Sequence, residues 1–89
     1  MPKIHRIRQR CTEVCEDGDE LLFADGYDSA IIGIAQRGGT EFVVYDSAEV
    51  VRILRRRDGM SQAEAEDFFE FNVLGAWVGE KTPLFVTVL

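Results

Sequence analysis

The chain has 89 residues, of which 46% are hydrophobic and 29% charged, and its formal net charge is −6. That is enough chain for a single domain spanning residues 1–89, too apolar to be disordered and too short for a second core. The acidic balance argues against general nucleic-acid binding, since neutralising a phosphate backbone needs a basic surface.

The charge is unevenly distributed. Residues 1–10 hold Lys3, Arg6, Arg8 and Arg10 and no acid, residues 11–50 hold ten acids against Arg37, and Arg52, Arg55, Arg56 and Arg57 follow. No apolar run approaches the ~18 residues of a membrane span. The basic first ten residues lack the apolar centre of a signal peptide. The expectation is a cytoplasmic protein with no membrane association.

In chain order, Ile4, Ile7, Cys11, Val14 and Cys15 recur at helical spacing and predict a helix over 3–16. Its bases come first and its acids last, against the helix dipole. Residues 16–19 form a turn. Two short apolar runs, 20–24 and 30–35, predict strands joined by a hairpin loop at 25–29. Arg37-Gly38-Gly39-Thr40 is a further turn, and 41–45 a third strand, completing a meander. Asp46 and Glu49 are placed as an N-terminal capping pair for a helix through Arg57, with Val50, Val51, Ile53 and Leu54 as its buried stripe. After Asp58-Gly59, Ser61 and Glu64 make a second capping box, with Met60 as a hydrophobic staple against Ala65. The next helix runs from 62 to 74 and stops at Gly75. Residues 76–78 are a last helical turn or a short strand, 79–83 a loop, and 84–88 a strand. The fold class is α+β: a small antiparallel sheet, the three-strand meander plus the C-terminal strand, with two or three helices on one face.

Few residues point to chemistry. Cys11 and Cys15 share a helix face and are expected to be reduced, partly buried thiols. With His5 as the lone histidine, no zinc set forms, and a nucleophile–histidine pair would have to use His5. An EF-hand begun at Asp17 fails, because Leu21 and Leu22 fall where an oxygen ligand and a glycine are required. No phosphate-binding glycine motif is present. No metal, cofactor or catalytic residue is assigned.

Three features remain. Asp25 and Asp28 flank Gly26-Tyr27, and two close carboxylates either serve turn hydrogen bonding or form a contact site. Arg55, Arg56 and Arg57 either complement a helix C-terminus or form a patch for an acidic partner or phosphate. The helix over 62–74 carries Phe68, Phe69, Phe71, Val73 and Leu74 around most of its circumference, so it needs cover on more than one side. That cover is either the C-terminal strand or another subunit, with Phe68, Phe71 and Trp77 as the interface residues. Asn72, among these aromatics, either pins the adjoining loop backbone or offers a polar contact in a pocket.

Asp25-Gly26-Tyr27-Asp28 with Ala30-Ile31-Ile32-Gly33, then Gly59-Met60-Ser61, then the run from Phe69-Glu70-Phe71-Asn72-Val73-Leu74-Gly75-Ala76-Trp77-Val78-Gly79-Glu80 to Thr82-Pro83, resembles a family of small uncharacterised phage and prophage proteins. The resemblance covers about residues 20–86. It implies a bacterial cytoplasm as context and carries over no functional residue.

The expected function is that of a small acidic accessory protein, not an enzyme, that binds a protein partner, one version being inhibition of a host enzyme or defence system. Two alternatives stand beside it. One is a ligand-binding or enzymatic domain whose pocket joins Asp25, Asp28, Asn72 and Trp77. The other is a structural homo-oligomer, such as a homodimer.

Overall fold

The computed structural model describes residues 3–15 and 21–89, with side chains from Arg6 onward. The elements are α1 (Lys3–Val14), a 3-10 turn (Asp28–Ala30), β1 (Ile31–Arg37), β2 (Thr40–Asp46), α2 (Ser47–Asp58), α3 (Gln62–Phe68) continued by a π-helical turn (Phe69–Leu74), and β3 (Leu84–Val86). The class is α+β, as the sequence predicts. No described helix is long and apolar enough to cross a membrane.

β1 and β2 form an antiparallel hairpin closed by Gly38 (φ 57°) and Gly39 (φ 82°). Two consecutive positive φ angles match the right-handed twist of the strands, and glycine adopts them without a Cβ penalty. The register shifts between Ile31 and Gly33, leaving Ile32 as an exposed bulge residue.

Two expectations about the sheet are corrected. Residues 21–24 are not a strand, and 25–29 are not a hairpin loop. The Ala24 N–H donates to the Tyr45 hydroxyl at 2.7 Å, so this segment is tethered by a side chain rather than by a ladder. The C-terminal strand pairs parallel, not antiparallel: Tyr45 faces Phe85 across β2–β3. Between β2 and β3 the chain passes through both α2 and α3, and a long crossover of this kind is what parallel pairing requires.

Val43 and Tyr45, two apart and so on one face of β2, are fully buried with Val50 and Leu54 of α2. Ile53, Val51, Ala65, Phe69, Ile31, Ala30, Tyr27, Leu21, Cys11 and Cys15 complete this core among the described residues. Tyr45 stacks on Phe85 (centroids 5.2 Å apart), and Phe69 meets Phe85 edge-on (5.5 Å). Those two contacts join sheet, C-terminal strand and π turn.

α1 forms despite its adverse charge order, because Ile7, Cys11 and Cys15 pack into the core. The Asp46 side chain caps α2 by accepting from the Ala48 N–H at 3.0 Å. Glu49 does not complete that cap; its carboxylate pairs with Arg52 and Arg56 instead. α3 carries the predicted capping box of Ser61 and Glu64, and Met60 packs against the core. The helix does stop at Gly75, but its second half is π-helical, with the Gly75 N–H donating to the Glu70 carbonyl. A Cβ at Gly75 would lie 3.2 Å from that carbonyl oxygen, so the tight exit favours glycine.

Burial pushes the Tyr45 hydroxyl up to about 12 and the Cys15 thiol up to about 11, the latter aided by a hydrogen bond to Glu41. Both groups are neutral when protonated, and folding favours that form. Their contribution is therefore complete below the unfolded values of 9.0 and 10.0 and is lost as pH rises through the folded ones. Thermal unfolding followed by circular dichroism should show a melting temperature that falls between about pH 9 and pH 12. Tyr45→Phe should flatten the upper part of that fall while lowering stability near neutral pH by about 1–2 kcal/mol, through the orphaned Ala24 amide.

Candidate functional site

The Asp25–Asp28 turn is anchored by side chains from two helices. Arg8 of α1 grips Asp28 with two parallel bonds, Nε to Oδ2 at 2.6 Å and Nη2 to Oδ1 at 2.8 Å. Its Nη2 also donates to Asp25 Oδ1 at 3.0 Å. The guanidinium lies 4.7 Å from the Phe23 ring centroid. This planar, bidentate geometry is the strong form of the arginine–carboxylate pair. The bond to Asp28, with Asp25 adding to it, raises the Arg8 pKa above its already high ordinary value. Asp28 is 6% exposed, whereas the Asp25 side chain is 94% exposed.

From the other side, Arg57 of α2 donates from Nη1 to the Gly26 carbonyl at 2.9 Å and lies over the Tyr27 ring at 5.1 Å. Gly26 has φ 94°, a conformation that favours glycine, and a Cβ there would push Arg57 Nη1 off its place 2.9 Å away. The positive charge that a metal would bring to the two carboxylates is already supplied by Arg8. Asp28 is a structural anchor; Asp25 keeps its second carboxylate oxygen for solvent or a ligand.

Beside this turn lies a cleft of about 350 Å³. Phe23, Tyr27, Phe68 and Phe85 line it, with Asp25 and Asn72 as polar members of the lining. The structure thus brings together two of the four residues predicted for a pocket, Asp25 and Asn72, and leaves Asp28 and Trp77 out of the lining. Asn72 does not pin the loop backbone: its side chain is exposed and makes no hydrogen bond among the described residues. Loop pinning falls to Thr82, whose hydroxyl donates to the Gly79 carbonyl and accepts from the Val78 N–H.

The aromatic segment divides. Phe69 is buried and Phe68 half-buried on the core, so Phe68 is cleft lining rather than a protruding anchor. Phe71 is 79% exposed, Trp77 74%, Val78 62% and Leu74 49%. The C-terminal strand covers one side of this helix through Phe85 and leaves the other bare. Residues 76–78 are neither helix nor strand.

The arginine row at the end of α2 is largely committed within the chain. Arg52 and Arg56 share Glu49, Arg55 donates to Gln62 at 3.0 Å, and Arg57 pairs with Asp58. Cys11 and Cys15 are buried free thiols, both with pKa values raised chiefly by burial, the opposite of a reactive thiolate site. The His5 side chain, the turn at 16–19 and the Asp17 and Asp19 positions of the EF-hand test lie outside the described residues.

Arg8 is the site residue that sequence reasoning missed. It stands 20 residues from Asp28, and pattern arguments see neighbours three or four apart. Its signal was a basic residue among the apolar positions of α1, half-buried where a solvated arginine would be exposed.

No protein-family model matches this chain, and no curated protein or solved structure is significantly similar to it.

Replacing Arg8 with Met keeps much of the stem and removes the charge, leaving Asp28 buried and unpaired. A fully buried broken pair costs about 3–5 kcal/mol; with a third of Arg8 exposed, about 2–3 kcal/mol is expected in denaturant unfolding. Removing the orphaned charge as well, in Arg8→Met/Asp28→Asn, should recover part of the deficit. A double variant no more stable than Arg8→Met would count against this account.

Proposed function

We propose that this protein acts by binding another protein through the surface built by residues 71–78. The observation that carries the reading is the exposure of Phe71, Leu74, Trp77 and Val78 within residues 71–78, on a chain that otherwise buries or half-buries its aromatics. Phe71 and Trp77 alone expose on the order of 300 Å². Exposed apolar patches of that size mark contact surfaces, and tryptophan is among the residues most enriched at interface hot spots.

The surroundings specify the partner's chemistry. From Asp58 to Glu80 the chain carries six acids and no base. Asp67, Glu70 and Glu80 make no ion pair with any described residue. The partner that fits has an apolar groove with a basic rim, so association is steered by charge and weakened by salt. Occupying the basic channel of a nucleic-acid-processing enzyme is the version the acidity favours. A bacterial cytoplasm, as the resemblance to small phage and prophage proteins implies, is the proposed setting.

The test is affinity capture from bacterial lysate at low salt, with wild type, Trp77→Ala and Phe71→Ala compared side by side. Both side chains are exposed, so the variants should unfold like wild type within about 0.5 kcal/mol. The expected result is a basic partner held by wild type and lost with either variant, each weakening binding at least about 10-fold. Capture of nothing, or equal capture by all three, would overturn the reading. Light scattering showing a wild-type dimer that Trp77→Ala converts to monomer would replace it with self-association.

A further inference from the structure

We infer that the cleft beside the Asp25 turn is a recognition site for a lysine or arginine side chain of the partner. The inference rests on the protein-binding reading above and gives it a second, separable contact. Four aromatic rings, those of Phe23, Tyr27, Phe68 and Phe85, line the cleft. Such walls suit the methylene stem of a long basic side chain; Arg8 over Phe23 and Arg57 over Tyr27 already show cations of this chain lying on two of the rings.

The polar groups are placed for the head. Asp25 carries its carboxylate almost fully exposed, with Oδ2 free of any bond from the described residues. The two nearby cations are both paired, Arg8 with Asp25 and Asp28 and Arg57 with Asp58, so this group of five charges nets −1. Asn72 contributes a side-chain carbonyl that accepts no hydrogen bond from the described residues. The Asp25 carboxylate and the Asn72 amide oxygen can both accept from an incoming ammonium or guanidinium, which donates only. An uncharged apolar anchor would use neither Asp25 Oδ2 nor the Asn72 oxygen. An acidic or phosphorylated side chain would be repelled by Asp25 and by the acids of residues 58–80. The committed occupant is therefore a basic side chain.

The test uses amide-detected NMR of the full chain with three probes: the N-acetyl methylamides of lysine, arginine and norleucine. Norleucine has a comparable apolar stem without the charge. Lysine or arginine methylamide should shift the Asn72 side-chain amide and the backbone amides of Val73 and Ala76. Norleucine methylamide should bind about 3–5-fold more weakly. Asp25→Asn should bring the basic probes down to the norleucine level, and Trp77→Ala should leave them unchanged.

Equal or tighter binding of norleucine would overturn the inference in favour of an apolar anchor. Shifts confined to Glu66, Asp67 and Glu70 would reduce it to diffuse attraction by the acidic helix. A captured partner lost with Trp77→Ala but indifferent to Asp25→Asn would leave the protein-binding reading intact and remove the cleft. Lysine binding in the cleft with no partner captured would do the reverse.

Discussion

The buried pair between Arg8 and Asp28 is the constraint on which the arrangement of this small domain turns. α1 has little else in its favour: its charges oppose its own dipole, and it has no acid in its first turn and no base in its last. Docking of Ile7, Cys11 and Cys15 supplies the apolar part of its attachment, and Arg8 supplies the orientation. Because the guanidinium is planar and bonds both oxygens of Asp28, it fixes the carboxylate's angle as well as its distance. Asp28 opens the 3-10 turn that leads into β1, so the same bond sets where the hairpin starts. Arg57 holds the Gly26 carbonyl from α2, and the turn is thereby fixed from two sides. A site built on such a turn starts from a rigid frame, which lowers the entropic cost of any later contact.

The π-helical turn after α3 has the opposite character. A π turn accommodates an extra residue against the regular helical pattern, and such turns are rare and concentrated at functional sites. The inward stripe nevertheless keeps ordinary helical spacing: Ala65, Phe68, Phe69 and Val73 face the core, Phe69 meets Phe85, and Phe71 and Leu74 are left in water. Asn72, seven residues after Ala65, lies on the same side and reaches the cleft beside Phe68.

What was legible beforehand was local. The Gly38-Gly39 hairpin, the Asp46 cap, the Ser61–Glu64 capping box and the stop at Gly75 each follow from residues within a few positions of one another. What was not legible depended on distant partners. Residues 21–24 have strand-like composition, yet the Ala24 amide goes to a tyrosine hydroxyl 21 residues away. The parallel sense of β3 is set by the path of two intervening helices, not by the composition of residues 84–88. The Asp25 and Asp28 pair was visible as a pair, but the division of labour between them was decided by Arg8. Asn72 was placed in the right neighbourhood; of its two expected roles, loop pinning fails because Thr82 supplies it, and the place in a pocket lining stands.

The acidity of residues 58–80 bears on which partner suits the bare aromatic cluster. A second copy would bring the same charge to the interface, and each chain already carries a net −6. Repulsion between like copies acts before contact is made, whereas the apolar gain is realised only at contact. Salt separates the two cases by sign. Screening over roughly 10 Å at 0.1 M weakens attraction to a basic partner and relieves repulsion between copies. The acids therefore do more than keep an apolar patch in solution. At low salt they hold identical patches apart and leave the patch open to a basic surface, so exposure of Trp77 and the charge around it work as one device.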